Sequence, residues 1–120
     1  MTNNKFDLEE RTALFAENVI EFCKSLNETT ITRPIISQLV RSATSIGGNY
    51  CEADCAESKR DFEHKLGICK KEAKETKHWL RMIVKALPEN RTEAQTLRKE
   101  AMELVLIFSA IISKSKSKIT

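Results

Sequence analysis

The stretch SKRDFEHKLGICKKEAKETKHWLRMIVKAL, residues 58–87, decides the fold of this chain. Its apolar and small residues recur at alternating spacings of four and three, which predicts one long helix with an unbroken core-facing seam. Ser58 and Asp61 match a capping box at its start, and Pro88 ends the pattern, so we expect a helix over residues 59–87. The seam consists of Phe62, Leu66, Cys69, Ala73, Thr76, Leu80, Ile83 and Leu87.

Three more stretches repeat this helical spacing and predict helices over residues 8–26, 33–57 and 91–114. Asp7, with Glu10 as its returning partner, is expected to cap the first of them, and Thr32 the second. The 120 residues include only three Gly and two Pro, which favours long helices joined by short loops. We therefore predict an all-α protein, an antiparallel up-down-up-down four-helix bundle that forms a single domain over residues 1–120.

The second helix carries a polar row beside its core seam and two adjacent glycines. Gly47 and Gly48 each cost a helix about 1 kcal/mol relative to Ala, so we expect them to permit close helix packing or to mark a kink. The third helix carries two carboxylates on one flank, and a covered carboxylate needs a charge partner. Arg41, with Arg11 as the alternative, is the expected partner. We interpret the whole set as a structural polar seam, formed by Arg41, Ser45, Asn49, Glu52, Glu72 and Glu75.

The third helix has two contrasting flanks beside its seam. One carries basic residues that suit the phosphates of a nucleic acid, the alternative being a solvated face with no such role. The predicted nucleic-acid-binding residues are Lys70, Lys74, Lys77 and Arg81. The other flank widens the apolar surface, and we predict contact with further copies of the chain there. This flank carries Ile68, Trp79 and Met82, and the alternative is that the tryptophan only closes the edge of the core.

Residues that could carry catalysis are sparse, so we predict neither enzymatic activity nor a cofactor. Glu75 and His78 have the Glu-x-x-His spacing of bundle metal sites, but the sequence has no second such pair, and we predict no metal site. The four cysteines lack Cys-x-x-Cys spacing and are expected to be small, semi-buried side chains in a reducing cytosol. Cys51 and Cys55 would share a helix face, and the alternative for these two is half of a metal site.

The overall charge and hydropathy limit where the protein acts. The net charge is only +3, so binding of nucleic acid would depend on local clusters of Lys and Arg. The longest apolar run is too short to span a bilayer, and residues 1–10 contain no apolar segment typical of a secretion signal. We expect a cytoplasmic protein that does not insert into membranes.

Several blocks of the sequence together resemble one bacterial family. They are FDLEERTALFAENVI (residues 6–20), QLVRSATSIGGNYCEA (38–53), the Ser58-x-x-Asp61-Phe62 motif and KEAKETKHWL (71–80). This combination is similar to that of the four-helix-bundle proteins encoded in intervening sequences of 23S ribosomal RNA genes, and the similarity covers residues 5–113. The family's usual pattern has an alanine-like residue in place of Gly48 and an aromatic residue in place of His78.

The resemblance implies a cytoplasmic bundle that assembles as a ring-shaped homopentamer without enzymatic activity. It also implies a relation to the accessory protein of diversity-generating retroelements, a basic pentamer that works with nucleic acid and a reverse transcriptase. Together with the basic flank, it leads to the hypothesis of a non-enzymatic oligomeric bundle that binds RNA or another nucleic acid through basic helix faces. The alternative hypothesis is a protein-interaction scaffold with no nucleic-acid role.

Overall fold

The computed structural model describes residues 7–118, and every regular element in that range is helical. The helices are α1 (Leu8–Lys24), α2 (Thr32–Asp54), α3 (Lys59–Ala86) and α4 (Arg91–Ser117), with a 3-10 turn, Pro88–Asn90, between α3 and α4. The predicted all-α class and each of the four predicted helices are therefore confirmed.

Contacts between the helices give their order and direction. Thr76 of α3 contacts Ser42 of α2, whereas Cys69, earlier in α3, contacts Ile46, later in α2, so the two helices run antiparallel. The same reversal relates α3 to α4. Contact is most extensive between α2 and α3, while α1 packs mainly on α2 and little on α4. The result is the predicted up-down-up-down four-helix bundle, which measures 52 × 31 × 20 Å.

The predicted seams meet in one core. The α3 seam is fully buried from Leu66 to Ile83, and it packs with Phe15 of α1 and Phe108 of α4. The ring of Tyr50 on α2 lies 6.4 Å from that of Phe108, and burial raises the pKa of the Tyr50 phenol. Burying one such apolar side chain stabilises the fold by about 1.5–3 kcal/mol, so these seams fix which flanks of each helix remain at the surface.

Two of the predicted helix caps are present. The Glu10 N–H donates to Asp7 Oδ1 at 3.1 Å at the start of α1, and the Asp61 N–H donates to Ser58 Oγ at 3.0 Å at the start of α3. Each side chain satisfies an N–H group that the first helical turn leaves without a backbone partner.

The cap predicted for α2 was wrong. The Thr32 N–H donates to Thr29 Oγ1 at 3.1 Å, and the Thr29 N–H donates to Thr32 Oγ1 at 2.8 Å. This is a reciprocal capping box in which Thr29 is the cap and Thr32 is the returning partner. Thr32 is buried, and its hydroxyl also donates to the Asn27 carbonyl at 2.8 Å, which fixes the connection between α1 and α2.

The two adjacent glycines of α2 have different surroundings. A Cβ atom on Gly47 would lie 3.1 Å from Thr12 Oγ1 of α1, so this glycine permits the close approach of the two helices. A Cβ atom on Gly48 would meet nothing within 4 Å. No residue in the range 7–118 has a positive φ, and α2 continues unbroken through both positions. Of the two roles expected for the pair, close packing applies to Gly47 alone.

The ends of the helices differ slightly from the predicted bounds. α1 ends at Lys24 because Ser25 Oγ donates to the Phe22 carbonyl at 2.7 Å and closes the last turn. α4 continues to Ser117, and Ser115 Oγ donates to Glu63 Oε2 at 2.6 Å, which ties its last turns to α3. None of the helices described over residues 7–118 is long and apolar enough to cross a membrane.

Candidate nucleic-acid interface

The acidic flank of α3 faces α2, where its carboxylates are paired. Arg41 Nη1 lies 3.3 Å from Glu72 Oε1, and Arg41 Nη2 forms a second ion pair with Glu75. The Arg41 side chain is 46% exposed and that of Glu72 only 10%, so the guanidinium covers a carboxylate that is almost removed from water. The ion pair expected for Arg41 is therefore present within one chain.

Only part of the predicted polar seam bridges the helices. Ser42 and Thr76, which are not among the six residues predicted for the seam, also bridge α2 and α3: both are fully buried, and their hydroxyl oxygens lie 2.9 Å apart. Ser45 and Asn49 are half-buried and donate to carbonyl oxygens of their own helix. Glu52 is exposed and accepts an ion pair from a lysine of α3 at 2.6 Å. The seam thus joins α2 to α3 at separate points along its length.

Arg11, the alternative partner for the α3 carboxylates, pairs with α4 instead. Its Nε lies 2.7 Å from Glu100 Oε2, and its Nη2 lies 2.8 Å from Glu103 Oε1. The hydrogen bond to Glu100 raises the pKa of the Arg11 guanidinium. The expectation for Arg11 was wrong because α1 neighbours α2 and α4, and the pair holds these two carboxylates on the α1 side of α4.

The predicted nucleic-acid-binding residues lie on the opposite flank of α3, beside α4. Lys74 and Arg81 are exposed, and Lys70 and Lys77 are half-buried. The Lys77 backbone carbonyl accepts a hydrogen bond from Arg98 Nε of α4 at 3.4 Å. The basic flank of α3 therefore borders the groove between α3 and α4.

α4 supplies further residues to this groove that the sequence reasoning did not assign. Arg91, Gln95, Arg98 and Met102 form one row along α4 at helical spacing. Met102 Sδ lies 3.7 Å from Lys77 Nζ, which places this row against the basic flank of α3. The spacing was visible in the sequence, but it does not say which neighbouring helix the row faces.

Two concavities follow the groove. A cleft of about 200 Å³ is lined by Lys77, Gln95, Arg98, Lys99 and Met102. A wider pocket of about 760 Å³ at the α3–α4 turn is lined by Arg81, Met82, Val84, Lys85, Pro88, Arg91, Gln95 and Arg98. We call the cations of both the basic groove: Lys77, Arg81, Lys85, Arg91, Arg98 and Lys99.

The positive charge of the basic groove is not neutralised by carboxylates of the described residues. Neither concavity has a carboxylate among the lining residues that belong to the described part of the chain. Within residues 7–118, none of the six cations forms an ion pair. Their side chains therefore remain available to an anion from outside the chain.

The residues predicted for contact between copies are half-buried within one chain. Trp79 packs against the core, with its ring 4.9 Å from that of His78, and its Nε1 is buried without a hydrogen-bond partner in the described residues. Ile68 is also half-buried, and Met82 lines the pocket at the α3–α4 turn. Their role in assembly stays a prediction.

The four cysteines are free thiols in two environments. Cys51 and Cys55 are exposed, so the expectation of semi-buried side chains was wrong for these two, whereas Cys23 and Cys69 are buried. Burial raises the pKa of Cys23 to about 11 and that of Cys69 to about 12. No group of three or more His, Cys, Asp or Glu in the described range could hold a metal ion.

Comparison with known proteins identifies the family. The family model described as 23S rRNA-intervening sequence protein matches residues 4–110. The chain belongs to this family. A solved structure from Bacteroides thetaiotaomicron VPI-5482, of a protein with unknown function from the S23 ribosomal protein family, is similar with a TM-score of 0.77 and 30% sequence identity. That match covers 87% of this chain and 96% of the other, while no curated protein matched.

Proposed function

We propose that this 23S rRNA-intervening sequence protein binds RNA or another nucleic acid through phosphate contacts in the basic groove, and that it does so as a homo-oligomer without enzymatic activity. One observation carries the proposal: six cations from α3 and α4 border the same groove, and within residues 7–118 no carboxylate lines it. Phosphate-backbone binding is the interaction that such a groove favours.

The concentration of charge is high for this chain. The net charge of the whole protein is only +3, yet six cations share one groove. The difference arises because carboxylates of α3 and α4 lie on other flanks, paired with Arg41 and Arg11. Neighbouring like charges repel each other, so the arrangement adds nothing to the stability of the free bundle but attracts a polyanion.

The groove suits backbone binding rather than base recognition. Four of the six cations line the pocket at the turn. The cleft beside it has a volume of about 200 Å³, which is below the about 300 Å³ of the smallest usual ligand pockets. Contacts to phosphate alone fix position but carry no sequence information, and they weaken steeply with salt.

Assembly would strengthen this binding. In the homopentamer that the family resemblance implies, the groove is repeated around a ring, and one long nucleic acid contacts several copies at once. The sequence resemblance to the accessory protein of diversity-generating retroelements, a basic pentamer that works with nucleic acid, supports the same class of partner.

The test is removal of three cations from the cleft. We expect the triple variant Lys77→Gln, Arg98→Gln, Lys99→Gln to bind a fluorescein-labelled RNA hairpin at least about tenfold more weakly at low salt. The slope of log affinity against log salt should fall by about one for each RNA phosphate that the protein no longer neutralises. Fluorescence anisotropy between about 50 mM and about 200 mM salt measures both quantities.

A matched control removes the same charge elsewhere. Lys24, Arg33 and Arg60 are exposed cations outside the basic groove, and their triple substitution by Gln lowers the net charge equally. Circular dichroism establishes that both variants are folded. If the two variants lose affinity equally, or neither loses any, the basic groove is not the binding site.

A second candidate function is a scaffold for a protein partner. A groove of about 540 Å³ between α1 and α4 has Phe22 and Leu97 in its walls and Glu21 and Glu93 among its lining residues. This chemistry fits a peptide segment with apolar and basic side chains. Under this alternative, both cation variants leave partner binding unchanged, while Leu97→Asp abolishes it in a pull-down with identified bound protein.

A further inference from the structure

The pocket at the α3–α4 turn, called the turn pocket below, gathers four cations around a single concavity. They are Arg81 and Lys85 from α3 and Arg91 and Arg98 from α4. Its volume of about 760 Å³ lies within the about 300–1,000 Å³ typical of small-molecule sites. It is therefore large enough for a discrete ligand, unlike the neighbouring cleft of about 200 Å³.

The four cations line one pocket from two adjacent helix ends. Arg81 and Lys85 are one helical turn apart, about 6 Å along α3, and Arg91 and Arg98 are two turns apart, about 10 Å along α4. The turn Pro88–Asn90 holds the two helix ends side by side. Arg98 is half-buried, and its Nε–H donates to the Lys77 carbonyl, so the four N–H groups at its terminal nitrogens remain available to a ligand.

A pocket of similar volume elsewhere in the bundle shows that this charge pattern is specific. At the opposite end of the bundle, an open concavity of about 740 Å³ lies between the α2–α3 connection and the last turns of α4. Its charged lining residues are Asp54, Glu57, Lys59, Lys114 and Lys118. Acids and bases are mixed there, whereas the described residues that line the turn pocket include four cations and no acid.

We infer that the turn pocket binds a terminal oligophosphate, the group shared by nucleoside triphosphates and by RNA with a 5′-triphosphate end. A terminal phosphate carries about −1.5 to −2 charges near pH 7 and each further phosphate about −1, so a triphosphate roughly balances four cations. One backbone phosphodiester, with a single negative charge, leaves most of them uncompensated. Three of the four cations are arginines, whose planar guanidinium binds phosphate oxygens in pairs.

The ligand is recognised through its phosphates and not through a base. Over residues 7–118, none of the lining residues of the turn pocket is aromatic, and its apolar lining consists of Met82, Val84 and Pro88. Stacking on an aromatic ring is the usual means by which a protein holds a nucleobase. Inorganic triphosphate and ATP should therefore bind with similar affinity, and inorganic phosphate and AMP much more weakly.

This inference goes beyond the proposed backbone binding, and the two can fail separately. Isothermal titration calorimetry with inorganic triphosphate, ATP, AMP and inorganic phosphate tests the turn pocket alone. Anisotropy with two RNA hairpins of identical sequence, one ending in a 5′-triphosphate and one in a 5′-hydroxyl, tests both. The hydroxyl-ended RNA measures backbone binding, and the ratio between the two RNAs measures the pocket.

Two double variants separate the turn pocket from cations elsewhere on the bundle. Arg91→Gln with Lys85→Gln should weaken triphosphate binding at least about tenfold, the effect of removing one charge-assisted hydrogen bond. Lys24→Gln with Arg60→Gln, which removes two exposed cations outside the basic groove, should leave triphosphate binding unchanged. If the triphosphate-ended RNA binds more tightly than the hydroxyl-ended RNA, and the pocket variant abolishes this difference, the turn pocket binds RNA ends. Tight binding of inorganic triphosphate without such a gain assigns it to a free oligophosphate. If neither is observed, or if both variants bind triphosphate like the unmodified protein, the inference is overturned whether or not hydroxyl-ended RNA binds.

Discussion

Replacing Arg41 by Gln should destabilise the bundle by about 1–2 kcal/mol, a range bounded by two measured classes of ion pair. Removing one partner of a fully buried pair costs about 3–5 kcal/mol, and an exposed pair contributes about 0–1 kcal/mol. The Glu72 carboxylate would lose its guanidinium partner, now at 3.3 and 3.4 Å, while its side chain is only 10% exposed. Because the Arg41 side chain is 46% exposed, water replaces part of this interaction, and the expected cost lies between the two classes.

Urea unfolding followed by circular dichroism measures this cost. All variants are compared at one protein concentration, because self-association would make stability concentration-dependent. A double-mutant cycle with Glu72→Gln isolates the pair. Since a neutral amide at position 72 no longer needs a cation, the double variant should be less destabilised than the sum of the single variants by about 1 kcal/mol.

The control is the same substitution at the start of the same helix. Arg33 Nε lies 3.7 Å from Glu28 Oε1, and both side chains are about two-thirds exposed, at 66% and 64%. Arg33→Gln should therefore change the free energy of unfolding by less than about 0.5 kcal/mol. Equal effects of the two Arg→Gln substitutions, together with additivity in the cycle, would refute the argument from the burial of Glu72.

Three further predictions concern the packing of α2, the accessibility of the thiols and the effect of pH on stability. Gly48→Ala should stabilise the protein by about 1 kcal/mol in urea unfolding. Gly47→Ala should stabilise it less or destabilise it, because the added Cβ at residue 47 would lie 3.1 Å from Thr12 Oγ1. Equal increases in stability would contradict the close approach of α1 and α2. A thiol reagent should label Cys51 and Cys55 in the folded protein and reach Cys23 and Cys69 only on unfolding. Folding raises the pKa of Cys23 from 9.0 to about 11 and that of Cys69 from 9.0 to about 12, so both thiols stay protonated to higher pH in the folded state than in the unfolded state. The stability that the two thiols contribute is therefore full below pH 9.0 and is lost as pH rises through about 11. The midpoint of urea unfolding should fall over this range, and a midpoint of the Cys69→Ala variant that falls as steeply as that of the unmodified protein would assign the loss to other groups.

The sequence sufficed for the core because burial and periodicity report the same property. Leu66, Thr76 and Ile83 occupy the heptad seam of α3, and each is fully buried. The start of α2 was less certain because Thr29 and Thr32 are three residues apart and both can cap a helix. Which of them is the cap depends on where the preceding loop leaves the core, and spacing alone does not contain that information.

The candidate site was predicted only in half for a related reason. Spacing placed Lys77 and Arg81 on one face of α3, and it would equally have placed Arg91 and Arg98 on one face of α4. It does not show that these two faces meet. That follows from the antiparallel contact of the helices, seen in the hydrogen bond from Arg98 to the Lys77 carbonyl.

The basic groove is thus a consequence of how charge is sorted among the helices. α3 and α4 each have one acidic flank and one basic flank, and in each case an arginine of a neighbouring helix pairs with the carboxylates, Arg41 for α3 and Arg11 for α4. The two basic flanks are left to face each other. Had the acidic flank of α4 faced α3 instead, Glu100 and Glu103 would lie beside the lysines and arginines of α3, and ordinary interhelical ion pairs would neutralise the groove. That arrangement is the one that stability alone favours, since opposite charges across a helix contact attract and like charges repel. A bundle that adopts the costlier arrangement, with six cations and no carboxylate among the described residues that line one groove, fits the anionic partner that we propose.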